Sequence, residues 1–537
     1  MSETLFLENA LKQGHTYVRS KSLEQDSYER NDAWSEYCQS LLLPESTLDS
    51  GLKSYTEQLT TIERIYSASL VYARAQSRAR RKSLAMYFTP PRLSEYVLDR
   101  VEAFGGDFTK HRFIDPAAGG ASFIGPIASR MSARGATHEQ IAKALRGVEI
   151  DPALANFARA AARCVVQRPV KHLVACGDGL VYGQPESFDA VIGNPPYKVL
   201  SPSQREKMPD WAKVVLGNYA NLYSLFILRG IQLLRSNGLL ALLVPTSFIT
   251  GTYFRPLRKY ISENSTILAI DKIEQRRQFF RDVSQDICLL VCRKAVEKRK
   301  GYSAQARSVD RNISWRCETD FWITRSSDEL WSRLYDNNKK TKFDSLEALG
   351  FTVRCGPIVH NRDKGLSDGI RRRRKDAVPL VWGHVIQPFL AVEPASRSRQ
   401  PGSGAITFVS TQRITPPVTT PSIVLQRTNS GDQEKRIRAG LVDEAWIAKY
   451  GGFYGENHVV VISPDPQKKQ RCSLRVLLRL LSTKAVDRRL RLLLSSNSIN
   501  VTALRDLQIP KLSKENLSSL EGYSDVELET ILEEAYG

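Results

Sequence analysis

Four consecutive residues, Asn194-Pro195-Pro196-Tyr197, hold the most distinctive chemistry in this chain. Each proline fixes its own φ and pushes the residue before it out of the helical region. Asn194 and Pro195 are therefore held extended, and their carbonyl groups are not consumed by a helix. Neither proline carries an N–H, so the loop is stiff and rich in acceptors. Two acceptors suit a planar amino group, and Tyr197 can lie against the ring that carries it. The preceding Phe188-Asp-Ala-Val-Ile192 reads as a short buried strand ending at Gly193, which sets the loop at a strand mouth. The same residues would also make an ordinary strand-end turn, so the rest of the chain has to decide.

Further candidates recur at similar places upstream. Thr89-Pro90-Pro91 predicts a helix start with Thr89 as N-cap and Pro90 and Pro91 in the first turn. Free N–H groups and a hydroxyl at such a start suit a carboxylate. Phe113-Ile-Asp115-Pro-Ala117-Ala-Gly-Gly-Ala-Ser-Phe123 reads as a strand, a turn of small residues and a helix. Small residues there let a ligand approach the backbone. It is neither a P-loop nor a G-x-G-x-x-G turn. Leu145 to Asp151 ends a second strand in Glu149-Ile150-Asp151, where a Rossmann-type fold grips ribose hydroxyls. A third strand, Lys171 to Ala175, leads into Cys176-Gly-Asp178-Gly179. Four strands alternating with helices predict an α/β fold with a parallel sheet. Every candidate falls at a strand's carboxyl end or at a helix start, where such sheets bind ligands.

The bulk numbers narrow the field. A length of 537 residues favours about two to four domains. At 42% hydrophobic and 25% charged, the composition is that of an ordinary globular protein. Apolar runs such as Leu239 to Val244 are too short to span a bilayer, and no secretory signal opens the chain. Eight cysteines and seven histidines lie scattered without metal-ligand spacing. Reduced thiols in a cytosolic protein, and no metal site, are the expectation. The net charge of +20 implies a polyanionic partner, and nucleic acid is the usual one.

Four regions are expected: an N-terminal helical segment over 1–80, a catalytic domain over 81–300, a linker over 301–345 and a second domain over 346–537. The first ends in a basic run, Ala73 to Lys82, and the last carries Arg371-Arg-Arg-Arg-Lys375 and Arg427. Composition shifts to short polar segments after about residue 300, which sets the expected boundary.

Taken in order, Tyr-Phe-Thr-Pro, Asp-Pro-Ala-Ala-Gly-Gly-Ala-Ser-Phe, Gly-Val-Glu-Ile-Asp-Pro, Gly-Asp and Asn-Pro-Pro-Tyr resemble one family. They are similar to the gamma-class N6-adenine DNA methyltransferases of restriction–modification systems, of the TaqI type. The resemblance covers residues from about 80 to 295. More loosely, Gly356 to Arg362, Leu425-Gln-Arg427-Thr, Gly455-Glu-Asn-His458 and Asn497 to Arg505 look similar to target-recognition domains of related type II enzymes.

The resemblance implies a Rossmann-like class I S-adenosylmethionine-dependent methyltransferase domain followed by a mixed α+β target-recognition domain. Thr89 and the helix start would meet the methionine carboxylate. Asp115 and Ala117 would line the methionine portion, Glu149 the ribose hydroxyls, Ile150 the adenine ring and Asp178 its amino group. Asn194 and Pro195 would accept from the amino group of the target adenine. Pro196 would stiffen the loop and Tyr197 would stack on that base. Phe280, with Phe279 as the alternative, would close the other face, and Phe226 would line the base pocket. Arg427 would be a DNA contact. Double-stranded DNA is the implied substrate and a cognate restriction endonuclease a candidate partner; no membrane is involved. The motifs set neither an oligomeric state nor a recognition sequence. Asn-Pro-Pro-Tyr also occurs in glutamine-side-chain and ribosomal RNA methyltransferases, which usually lack a long basic second domain. A modification subunit of a multisubunit system is a further alternative.

Overall fold

The computed structural model describes residues 2–21, 28–43, 48–168, 172–216, 220–273, 287–295, 301–310, 312–324, 343–359, 376–386, 408–413, 415–428, 435–493, 498–499, 501–505, 507–511 and 523–536. Two compact units make up the chain, Met1–Trp331 and Ser332–Gly537.

The first unit is built on nine strands: β1 (Phe113–Asp115), β2 (Leu145–Glu149), β3 (Val174–Cys176), β4 (Phe188–Gly193), β5 (Leu234–Pro245), β6 (Thr266–Ile273), β7 (Ile287–Arg293), β8 (Gly301–Val309) and β9 (Trp315–Thr324). Their order is β3-β2-β1-β4-β5-β7-β6-β8-β9. The five strands from β3 to β5 run parallel, and β7 is antiparallel to both β5 and β6. This is the Rossmann-like α/β fold of class I methyltransferases, as the motifs imply. Strands buried on both faces must be apolar along their whole length, and Leu239-Leu-Ala-Leu-Leu-Val244 and Ile287-Cys-Leu-Leu-Val-Cys292 are. Because side chains alternate, Leu239, Ala241 and Leu243 join one core layer while Leu240, Leu242 and Val244 join the other.

Two expected boundaries move. The helices of residues 3–75 are part of the first core layer, sharing it with the helix Pro152–Val166 and the sheet. Ser35 donates to the Ala153 carbonyl at 2.7 Å, and Tyr72 donates to Asp151 at 3.4 Å. The stretch read as a linker from 301 opens with β8 and β9, the last two strands of the sheet. In β8, Tyr302, Ala304 and Ala306 are buried while Ser303 and Gln305 are exposed. Small apolar residues alternating with polar ones leave a mean composition that looks like a linker.

The second unit is mixed α+β. A four-stranded sheet runs in the order Phe351–Cys355, Val459–Pro464, Ser422–Gln426, Ala439–Val442, all antiparallel. The helices Leu474–Leu481, Lys484–Leu493 and Asp525–Tyr536 contribute to the core on one face, with Leu477, Leu480 and Leu532 beside Ile423, Leu425 and Val460. Val424, Val459 and Val461 of the other face pack with Trp446 and Phe453. Arg371 to Lys375 lies outside the described residues. Among the described residues no helix is long and apolar enough to cross a membrane.

Candidate active site

Three buried or half-buried polar side chains stand side by side at the carboxyl ends of adjacent strands: Asp115 on β1, Glu149 on β2 and Asn194 just past β4. Asp115 is 1% exposed, and its Oδ1 accepts from the Ala117 N–H at 3.0 Å. It also lies so close under the start of the Asn194-Pro-Pro-Tyr197 loop that a Cβ at Gly193 would come within 2.8 Å of that oxygen. Glycine is needed there for the approach, not for its φ. Burial pushes the Asp115 carboxyl up to about 7, with the Glu149 charge adding and the Ala117 N–H pulling it back.

Glu149 accepts from the Gly119 N–H at 2.9 Å and from the Asp151 N–H at 2.8 Å. It ties the small-residue turn after β1 to the end of β2. Burial raises its carboxyl to about 7 as well, against those two N–H groups. Asp151, the other half of the acidic pair, is spent structurally. It caps the helix Pro152–Val166 through Leu154 and pairs with Arg80 of the basic run. Ile150, between them, is 59% exposed, an apolar side chain left uncovered beside buried carboxylates. Ala121, in the small-residue turn, adopts φ 66°, a left-handed backbone that costs about 1–2 kcal/mol outside glycine.

Asp178 is exposed in the turn after β3, with Oδ1 accepting from the Leu180 N–H at 2.9 Å. Gly179 stands beside it. A Cβ there would meet the Pro116 carbonyl oxygen at 1.8 Å, so no larger residue fits. Phe226, expected to line a base pocket, is buried with its ring next to Gly179 and so stands at the Asp178 turn. Sequence reasoning missed Arg229, one turn further along the same helix. It is only 8% exposed and donates to the Tyr182 and Gly183 carbonyls at 3.2 and 2.6 Å, clamping the far end of this loop. A lone arginine in an apolar helix was the available signal.

The Asn194 amide is held from two sides. Its Nδ2 donates to Thr89 Oγ1 at 3.1 Å and faces the Tyr87 carbonyl at 3.5 Å. The Tyr197 hydroxyl stands 2.5 Å from Asn194 Oδ1 and 3.1 Å from the Leu243 carbonyl, its one proton serving either acceptor. Tyr197 also meets Tyr223 edge to face, ring centroids 6.4 Å apart. The Thr89-Pro90-Pro91 motif thus reaches the loop, but not as expected. Pro90 is the N-cap of the helix Pro91–Ala103 and makes no side-chain cap bond. With proline at the first helical position, its extended predecessor takes the cap, and Thr89 sits one residue too far out. Phe279 and Phe280 lie outside the described residues.

In the second unit the resembling segments converge. Arg427 Nη1 donates to the Asn457 carbonyl at 3.0 Å and approaches Cys355 Sγ at 3.3 Å. A Cβ at Gly356 would meet the Glu456 carbonyl oxygen at 2.2 Å. Buried Glu456 accepts from the His458 N–H and holds its ring Nδ1 at 2.8 Å, leaving the imidazole half exposed. Arg427, expected to touch DNA, therefore spends at least one nitrogen on its own domain. Among the described residues no cluster of histidine, cysteine or acidic side chains could hold a metal.

Residues 144–280 match the family model described as the Eco57I restriction-modification methylase. The type II methyltransferase M.BsuBI of Bacillus subtilis is 24% identical over 380 residues, 66% of this chain and 73% of its own. The type II methyltransferase M.PstI of Providencia stuartii is 22% identical over 360 residues, 64% of this chain and 69% of its own. Among solved structures, the type IIL restriction-modification enzyme MmeI in complex with DNA aligns with a TM-score of 0.52 at 12% identity, over 91% of this chain and 81% of that one. The matched family segment runs from β2 through the Asn-Pro-Pro-Tyr loop to β6, and over it and beyond the chain is similar to type II methyltransferases of restriction–modification systems.

Proposed function

We propose that this chain is a site-specific DNA adenine-N6 methyltransferase of the gamma class, using S-adenosylmethionine. The carrying observation is the Asn194-Pro195 acceptor pair at the end of β4, set over buried Asp115 at the switch point of the sheet. An exocyclic amine conjugated to its ring is a poor nucleophile. Acceptors at Asn194 Oδ1 and the Pro195 carbonyl draw its hydrogens out of the ring plane and free the lone pair. Pro196 keeps the loop from relaxing, so transfer depends on positioning rather than on a strong base. The target base leaves the duplex to reach this loop, and stacking on Tyr197 offsets unstacking of about a few kcal/mol. Phe280, or Phe279, takes the other face. The basic second unit holds phosphates and reads base edges, with Arg427 beside that surface.

The residues present fit the cofactor. Small residues at Ala117 to Ala121 admit it to the backbone, and Glu149 is a buried acceptor for a ribose diol. Exposed Ile150 offers an apolar face to an adenine ring, Asp178 an acceptor for its amino group, and Asp115 and the helix start after Thr89 flank the methionine portion. Bound there, S-adenosylmethionine supplies an electrophilic methyl group.

Two tests follow from this assignment. Genomic DNA of a methylation-deficient host expressing the chain should carry N6-methyladenine at one short motif, read by modified-base sequencing. Methylated cytosine instead, or unmethylated DNA with methylated RNA or protein glutamine, would reject it. The second concerns Glu149. Its raised carboxyl favours the protonated form, so its contribution to stability is full below the ordinary carboxylate range and is lost as pH rises through about 7. Hydroxyl donors prefer the ionised form, so cofactor affinity should climb between pH 6 and pH 8. Calorimetry on Glu149→Gln should show that slope flattened, with affinity at pH 8 lower by about 10–100-fold.

A further inference from the structure

We propose, on the adenine assignment above, that Thr89 is a positioning residue for the Asn194 amide, holding it, beside the Tyr87 carbonyl, where its oxygen can meet the reacting amine. A carboxamide is nearly symmetric in shape, and a half turn about its last bond exchanges an acceptor for a pair of donors. Only one orientation serves the reaction. With Oδ1 toward the substrate the amide accepts from the amine; turned over, it sets N–H against N–H and withdraws nothing.

The surroundings choose the productive orientation. On the Nδ2 side stand Thr89 Oγ1 at 3.1 Å and the Tyr87 carbonyl at 3.5 Å. A hydroxyl can donate as well as accept, so the choice of end falls to the Tyr87 carbonyl: it has no proton to give, and the turned amide would face it oxygen to oxygen. On the other side Oδ1 meets the Tyr197 hydroxyl, which can donate. The Tyr87 contact is at the long limit of a hydrogen bond, which leaves Thr89 as the main holder. Thr89 is 2% exposed, so water does not readily replace its hydroxyl. The side chain is also not spent on the helix, whose N-cap is Pro90. Its backbone is fixed separately, the Thr89 N–H donating to Ser122 Oγ at 3.3 Å. The stretch that leads into the helix Pro91–Ala103 thereby fixes the amide over 100 residues downstream.

Single-turnover methylation of a duplex carrying the mapped motif, with S-adenosylmethionine binding measured by calorimetry, tests this. Thr89→Val keeps the shape and removes the acceptor, and Thr89→Ala removes it without the added methyl. Both should slow the chemical step by about ten-fold, the worth of one buried hydrogen bond, while the cofactor dissociation constant stays within about two-fold. Thr89→Ser should recover the rate. A weaker cofactor constant with an unchanged saturated rate would mean that the hydroxyl serves the methionine end, and the proposal fails. Unchanged rates in both variants, or no recovery by serine, overturn it equally. If the unsubstituted chain transfers no methyl group to adenine, the assignment fails and the proposal with it.

Discussion

Replacing Asn194 by alanine should lower the rate of methyl transfer by about 10²–10³-fold, the typical cost of losing one preorganised polar group at a reacting centre. The effect belongs to the chemical step. Asn194 lies after β4, outside the pair Asp115 and Glu149 proposed to hold the cofactor, so S-adenosylmethionine should bind Asn194→Ala as it binds the unsubstituted chain. The fold should survive too, because the Asn194 side chain is itself only half-buried, at a strand mouth rather than in the core. Single-turnover rates, paired with calorimetric cofactor binding, check both halves. Asn194→Asp separates acceptor strength from donor loss. It keeps an acceptor but cannot donate to Thr89, so it should fall between asparagine and alanine. Transfer by Asn194→Ala at the unsubstituted rate would remove the loop from the mechanism.

What the sequence made legible follows from how local each signal is. Asp115, Glu149 and Asn194 each end a short apolar strand, so their types and their common position could be read without knowing the sheet order. The structure then sets them on neighbouring strands. Thr89 was placed by the local rule that a hydroxyl precedes a helix-opening proline, and Pro90 defeated that rule by taking the cap itself. β8 was hidden for another local reason, since alanine, serine and glutamine in alternation carry little apolar signal. Arg229 and the Arg80–Asp151 pair were illegible because they join segments far apart in the chain. No window of sequence contains both partners of such contacts.

Another contact of this long-range kind carries the second large prediction. Arg100, from the helix Pro91–Ala103, donates through Nε to Asp271 Oδ2 on β6 at 2.8 Å, across 171 residues. The Tyr96 hydroxyl donates to the same oxygen at 2.8 Å, and the Arg307 N–H of β8 to the other at 3.2 Å. Arginine and aspartate are 3% and 0% exposed. Burial pushes the Asp271 carboxyl up, against the pull of Arg100 and Tyr96. Removing one member of such a pair leaves the other charged and unsolvated. Asp271→Ala should therefore destabilise the first unit by about 3–5 kcal/mol, measured by denaturant unfolding followed through that unit. The pair itself need not be worth that much. Replacing both partners, Arg100→Met with Asp271→Leu, should recover most of the loss, because desolvation consumes much of what the attraction supplies. A double variant as unstable as the single one would show the pair to be a net source of stability. The two variants also separate stability from function. The helix that Arg100 anchors begins one residue after Pro90, and Thr89 leads into it. Loosened on its sheet side, that helix lets the Thr89 hydroxyl drift from Asn194 before the unit unfolds. Asp271→Ala should then slow methyl transfer at temperatures where the unit is still folded, and the apolar pair should restore the rate together with the stability.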